Sequence, residues 1–146
     1  MKSTDELIDT DKISAALDDT KNESILNLTN AKIKQIKATI IKKLELEPED
    51  AKECMKKLEG YRYVDEMDEL RYGGFIKWIP ITDAEQLPLN SGGIICDIKI
   101  TDTGVNIVCK NFKGRHFQFK MKDTLIFQKL TEQEKILLMA LDHLER

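Results

Sequence analysis

Apolar residues at Ile33, Ile36, Ile40 and Leu44 recur every three or four positions in NAKIKQIKATIIKKLELE. That spacing predicts one amphipathic helix, with Asn30 as its N-cap. Lys32, Lys34, Lys42 and Lys43 fall beside or opposite the stripe. Such a helix packs on the rest of the chain or on a partner helix; a nucleic-acid contact or a membrane surface are the sharper alternatives. The apolar face lacks Trp and Phe, which argues against the membrane. Upstream, Ile13, Ala16 and Leu17 have helical spacing, so residues 1–22 form a short helix or fray as a terminus. A second helix opens at Pro48. Glu49 and Asp50 suit its first turn, Ala51, Cys54, Met55 and Leu58 mark its buried stripe, and Gly60 stops it. Cys54 there reads as a small core residue.

The pattern then changes to strands. In residues 74–81, Phe75, Lys77, Ile79 and Ile81 alternate with Ile76, Trp78 and Pro80, so this strand is expected to be covered on both faces. Pro80 argues for a sheet edge or a strand end. A polar loop over 82–91 follows, tucked down by Leu87 and Leu89. Residues 94–100 and 105–112 flank Thr101-Asp102-Thr103-Gly104, a good hairpin turn. A tight turn pairs Ile100 with Val105, Ile98 with Ile107 and Cys96 with Cys109. A fourth strand over 115–121 points Phe117, Phe119 and Met121 one way, and His116, Gln118 and Lys120 the other. A fifth covers 125–130 after a Lys122-Asp123-Thr124 corner. Thr131 and Glu134 form a capping box for a last helix, whose buried face is Ile136, Leu137, Met139, Ala140, Leu141 and Leu144.

These elements predict an α+β protein. A helical N-terminal arm precedes a small five-stranded antiparallel SH3-like barrel, with an OB-like barrel as the alternative, and a C-terminal helix closes the chain. The linear partition is an acidic segment over 1–29, a helical arm over 30–70, and the barrel with its last helix over 71–146.

Composition sharpens the picture. The 146 residues are 34% charged, yet the net charge is only -3. The charges are segregated. Residues 1–30 hold seven acids and three bases, and residues 131–146 hold four acids and two bases. Residues 71–130 hold nine bases and five acids, so the strand region is the basic part. Such asymmetry fits an anionic partner, or acidic flanks that shield a basic domain. No apolar stretch is long enough for a membrane span, and MKSTDELIDT lacks the apolar core of a signal peptide. An intracellular, soluble protein is expected.

Cys54, Cys96, Cys109, His116 and His143 show no zinc-like spacing, so no metal and no cofactor are expected. Cys96 opposite Cys109 allows a cross-strand disulfide, but two buried thiols are favoured for an intracellular chain. The acids Asp65, Glu66, Asp68 and Glu69 are clustered, but lack the ligand alternation of a calcium loop and read as a solvated turn. His143 suits the C-terminal end of a helix dipole. No GxxxxGK[ST], GxGxxG or GxSxG motif is present, so no enzyme and no small-molecule substrate are expected. Two binding roles remain. One is a protein-interaction or assembly module that self-associates or takes a partner through Ile33, Ile36, Ile40 and Leu44. The other is DNA or RNA binding by Lys110, Phe112, Lys113, Arg115, His116, Lys120 and Lys122, on the third and fourth predicted strands. Lysines and arginine track phosphates, and an exposed ring stacks on a base. Tyr72 and Trp78 are further stacking candidates.

The stretches YRYVDEMDELRYGGFIKWIPI, GGIICDIKI and LIFQKLTEQEKILLMALD resemble uncharacterised proteins encoded by giant nucleocytoplasmic DNA viruses of the mimivirus-like kind. The resemblance covers about residues 58–144 and leaves out the helical arm. It implies a setting, a virion or the host cytoplasm, and carries no catalytic motif.

Overall fold

The computed structural model describes residues 9–82, 89 and 92–144. These divide into two compact units. One joins the N-terminal residues up to Ile36 to the C-terminal segment from Leu130, and the other runs from Lys37 to Lys129. The linear partition at 29/30 and 70/71 cuts the chain at other points.

The larger unit is built on six strands: β1 (Tyr61–Val64), β2 (Phe75–Pro80), β3 (Gly93–Thr101), β4 (Gly104–Lys110), β5 (His116–Lys120) and β6 (Thr124–Lys129). They form one sheet in the order β1-β6-β2-β3-β4-β5, with every neighbouring pair antiparallel. The expected five-stranded closed barrel is therefore corrected to an open six-stranded sheet. Two reasons account for this. Tyr61–Val64, given no strand because the acids that follow it read as a turn, is a strand, and it occupies the free side of β6. No pairing among the described residues joins the two edges, β1 and β5.

The sheet nevertheless curls. β2 and β5 are three strand spacings apart, about 14 Å in a flat sheet. Yet the Trp78 and Phe119 rings stack with centroids 5.0 Å apart, and Phe117 lies 5.7 Å from Trp78. Val64, Ile76, Ile95, Ile107, Cys109 and Ile126 fill the same inner core. On the outer side of β1, β6 and β2, helices α2 (Asn30–Lys43) and α3 (Pro48–Lys57) supply the cover. Ile41, Cys54 and Leu58 bury Tyr61, Ile79 and Phe127, with Ile40, Leu44 and Leu89 packed alongside. The expected two-sided burial of β2 thus holds: Ile76 and Trp78 face in, Phe75 and Ile79 face out. Leu87 lies outside the described residues.

The smaller unit contains α1 (Thr10–Asp18), a 3-10 helix over Thr20–Ile25, the start of α2, and α4 (Glu132–Leu144). Its core is Ala16, Ile25, Ile33, Leu130, Leu137 and Leu138. Asp9 caps α1, its carboxylate accepting from the backbone N–H of Asp11 and Lys12. Asn30 is the first helical residue of α2 rather than its cap. Thr29 Oγ1 accepts from Lys32 N, and the Asp142 carboxylate accepts from Asn30 N and Nδ2 at 3.0 and 2.8 Å. An anion at that N-terminus is favoured by the helix dipole. The Thr131–Glu134 capping box forms in both directions. The buried face of α4 is Glu134, Leu137 and Leu138; Leu144, expected inside, is 78% exposed.

Candidate anion-binding face

Register assembles the site. The β3–β4 turn sets Ile100 opposite Val105 and Ile98 opposite Ile107, as expected. Beyond Ile98 the expectation fails. A β-bulge lies between Ile95 and Asp97, so Ile95, not Cys96, faces Cys109. A bulge inserts one unpaired residue and shifts the face of all that precede it. Cys96 is that residue, and it is exposed. The three cysteines are free thiols. Burial first, and then the nearby Cys96, push the Cys109 thiol up to about 11.

The bulge also aligns the outer side of the sheet. Phe75 on β2 pairs with Ile94 on β3, Ile94 with Lys110 on β4, and Lys110 with His116 on β5. One cross-strand row therefore runs Phe75–Ile94–Lys110–His116. A second row is Lys99–Asn106–Lys120, and between them lies Asp97–Val108–Gln118. Among the described residues this outer side of β3–β5 carries Lys99, Lys110, His116 and Lys120 against the single acid Asp97. Lys110, His116, Lys120 and Lys99 are all exposed.

The turn after β4 closes the face. Asn111 Oδ1 accepts from Lys113 N and Arg115 N at 3.0 and 2.9 Å, and Gly114 N donates to Asn111 O at 3.0 Å. Gly114 has φ +80°, which a glycine adopts without strain. The turn presents Phe112, 87% exposed, with its ring 5.7 Å from that of Phe75 and tilted by 30°.

The seven sequence-derived binding residues do not form one cluster. Lys110, Phe112, Lys113 and His116 gather at one end of the face, and Lys120 lies further along it. Arg115 turns towards the inner side, its guanidinium 5.2 Å over the Phe117 ring. Lys122 sits at the opposite end, in a groove of about 380 Å³ that Tyr63, Val105, Met121 and Leu125 help to line. Of the other stacking candidates, Trp78 is buried in the inner core, while Tyr72 is exposed. Lys99 was missed, although alternation along the hairpin sets it in one row with Lys120, across Asn106. So was a second basic group around Phe75. There Lys77 lies on the same outer side, its Nζ 4.9 Å over the Tyr61 ring and donating to Lys57 O at 2.9 Å. Burial, and then the charges of Lys57 and Lys129, hold its pKa below the usual lysine value.

The proposed partner face of α2 is used largely within the chain. Ile33 lies in the core of the smaller unit, and Ile40 and Leu44 pack on that of the larger. Ile36 alone of the four is exposed, at 38%. The acidic turn is likewise partly structural. Glu69 sits 3.2 Å from the buried Arg62 guanidinium, and its backbone carbonyl accepts from Gln128 Nε2. Burial outweighs that guanidinium and raises the Glu69 carboxyl above its ordinary value. Among the described residues no group of three or more His, Cys, Asp or Glu side chains is placed to hold a metal ion, and no helix is long and apolar enough to cross a membrane.

In comparisons with known proteins, no family model, curated protein or solved structure matches this chain.

Proposed function

We propose that this chain is a non-enzymatic binding module whose outer face over β3, β4 and β5 takes a polyanion, namely nucleic acid. The observation that carries this reading is the row Phe75–Ile94–Lys110–His116, flanked by Lys99, Lys113 and Lys120 and opposed, among the described residues of β3–β5, by one acid. Cations on a sheet face neutralise phosphates and release counterions, which makes binding steeply salt-dependent. Lys77 and Lys129 add positive charge on the neighbouring strands β2 and β6, while Lys57 near them pairs with Glu53 at 3.2 Å. The non-enzymatic part rests on the sequence, which holds no phosphate loop, nucleophile elbow or dinucleotide motif. A virion or host-cytoplasm setting rests on the viral resemblance.

The fold reading that accompanies it is SH3-like connectivity within an open sheet. The order β6-β2-β3-β4-β5, the long connection before β3, and the 3-10 corner Met121–Asp123 before β6 support it. The short β4–β5 connection over residues 111–115 leaves no room for the helix an OB-like barrel carries there.

A protein-interaction or assembly role is the second reading. It is favoured by the exposed Leu17, Leu26 and Ile36 of the smaller unit rather than by the whole α2 stripe. Titration against labelled DNA and RNA at two salt concentrations, with mass-resolved chromatography alongside, separates the two. Nucleic-acid binding predicts an affinity that falls steeply with salt and a shallower salt slope in Lys110→Glu/Lys113→Glu. Absence of binding at low salt, with self-association that Ile36→Glu abolishes, would move the function to assembly.

A further inference from the structure

We infer that the nucleic acid taken by this face is single-stranded, and that Phe112 is the ring on which a base stacks. The inference rests on the polyanion reading above and adds to it the state of the strand. An aromatic side chain left 87% exposed on a compact domain is unusual, and this one has an aromatic neighbour. Its ring rests against Phe75 at 5.7 Å, and Phe75 in turn meets the buried Tyr61 at 6.3 Å. Gly92 closes over the far end of the Phe75 ring. A Cβ at that position would approach the ring to 2.6 Å, and the backbone there has φ +117°, so a glycine is required. The backbone of Phe112 is fixed by the hydrogen bonds that Asn111 makes across the turn. An outward ring already set against a neighbour loses less conformational freedom when a second flat group covers it.

Its surroundings select the kind of flat group. Lys110 precedes Phe112 and Lys113 follows it, with His116 across from Lys110, so a lysine flanks the ring on each side along the chain. A base carries a phosphate on each side of its sugar, which matches a ring between cations. In a duplex the base faces are hidden in the stack, and only a single strand offers one along its length. Stacking needs no particular base edge, so the preference is for strand state over sequence.

The test uses the full chain, fluorescent single-stranded DNA and RNA oligonucleotides of about a dozen nucleotides, and the matching duplexes, at two salt concentrations. Wild type is expected to bind single strands more tightly than duplex. Phe112→Ala is expected to weaken single-strand binding by about fivefold or more, leave duplex binding and the salt slope unchanged, and be rescued by Phe112→Trp. Lys110→Glu is expected to lower the affinity for both forms and flatten the salt slope. Equal binding of duplex and single strand, or a Phe112→Ala variant that binds single strands as wild type does, would overturn the inference. In that case a weakened Lys110→Glu would still uphold the polyanion reading. Failure of every oligonucleotide to bind at low salt would sink both.

Discussion

Cys96 and Cys109 show how one extra residue changes chemistry. Both sit in the same hairpin, and simple alternation would place their side chains opposite each other. The bulge leaves Cys96 in solvent and Cys109 in the inner core beside Ile95 and Ile107. A thiol reacts as its thiolate, so burial that lifts the Cys109 pKa to about 11 keeps it protonated at neutral pH. Burial also raises the Cys54 thiol, although Lys57 works against it. Native protein treated with a small alkylating reagent is therefore expected to label at Cys96 first, with Cys54 and Cys109 labelling only on unfolding. Mass spectrometry of the digested product reads this directly. Rapid labelling of Cys109 in native protein would mean that the inner core opens far more readily than its packing implies.

At the scale of elements, short polar contacts decide where helices begin. Thr131 and Glu134 each satisfy the other's backbone N–H, so α4 starts where its sequence says it should. Thr131→Ala removes one half of the box and is expected to cost about 1 kcal/mol, read as a lower urea midpoint with unchanged m-value. The start of α2 is set differently. Thr29 supplies the local cap, while Asp142, 112 residues away in sequence from Asn30, caps it from α4. The bulge works at this scale too. Without it Ile94 and Lys110 would not share a row, and the Phe75 ring would not join the basic face. Lys120 on β5 has a second effect here. Charged residues on an edge strand discourage pairing with another sheet, so the same side chain disfavours pairing at this open edge.

For the whole molecule, the open sheet depends on its helical cover. Tyr61, Ile79 and Phe127 are buried on the outer side only because Ile41, Cys54 and Leu58 lie over them. The helical arm is thus part of the larger unit's core rather than a detachable extension. Removing residues 1–58 is expected to leave a fragment that binds a hydrophobic dye and unfolds without a cooperative transition. Phe127→Ala in the full chain is expected to cost about 3–5 kcal/mol while keeping a cooperative transition. A truncated fragment that folds cooperatively would show that the outer face needs no cover.

The sequence by itself determined the local elements. Periodicities of 3.6 and 2, the Thr101–Gly104 turn, Pro48 and the Thr131 box depend on neighbours in the chain, and they place three helices and five strands close to where they lie. It also located the basic segment and the exposed Phe112. Only the tertiary structure decided the rest. Tyr61–Val64 is a four-residue strand amid acids, and its pairing with β6 comes from 60 or more residues along the chain. The bulge at Cys96 has no signature in the apolar run Ile94-Ile95-Cys96, where either alternating set could face inward. The open edges at β1 and β5, the cover over β6, and the division of the basic residues between two sides and two ends of the sheet all depend on long-range contacts. Alternation says which residues share a side of one strand. Which strands lie beside one another, and what covers them, is set by packing between distant segments.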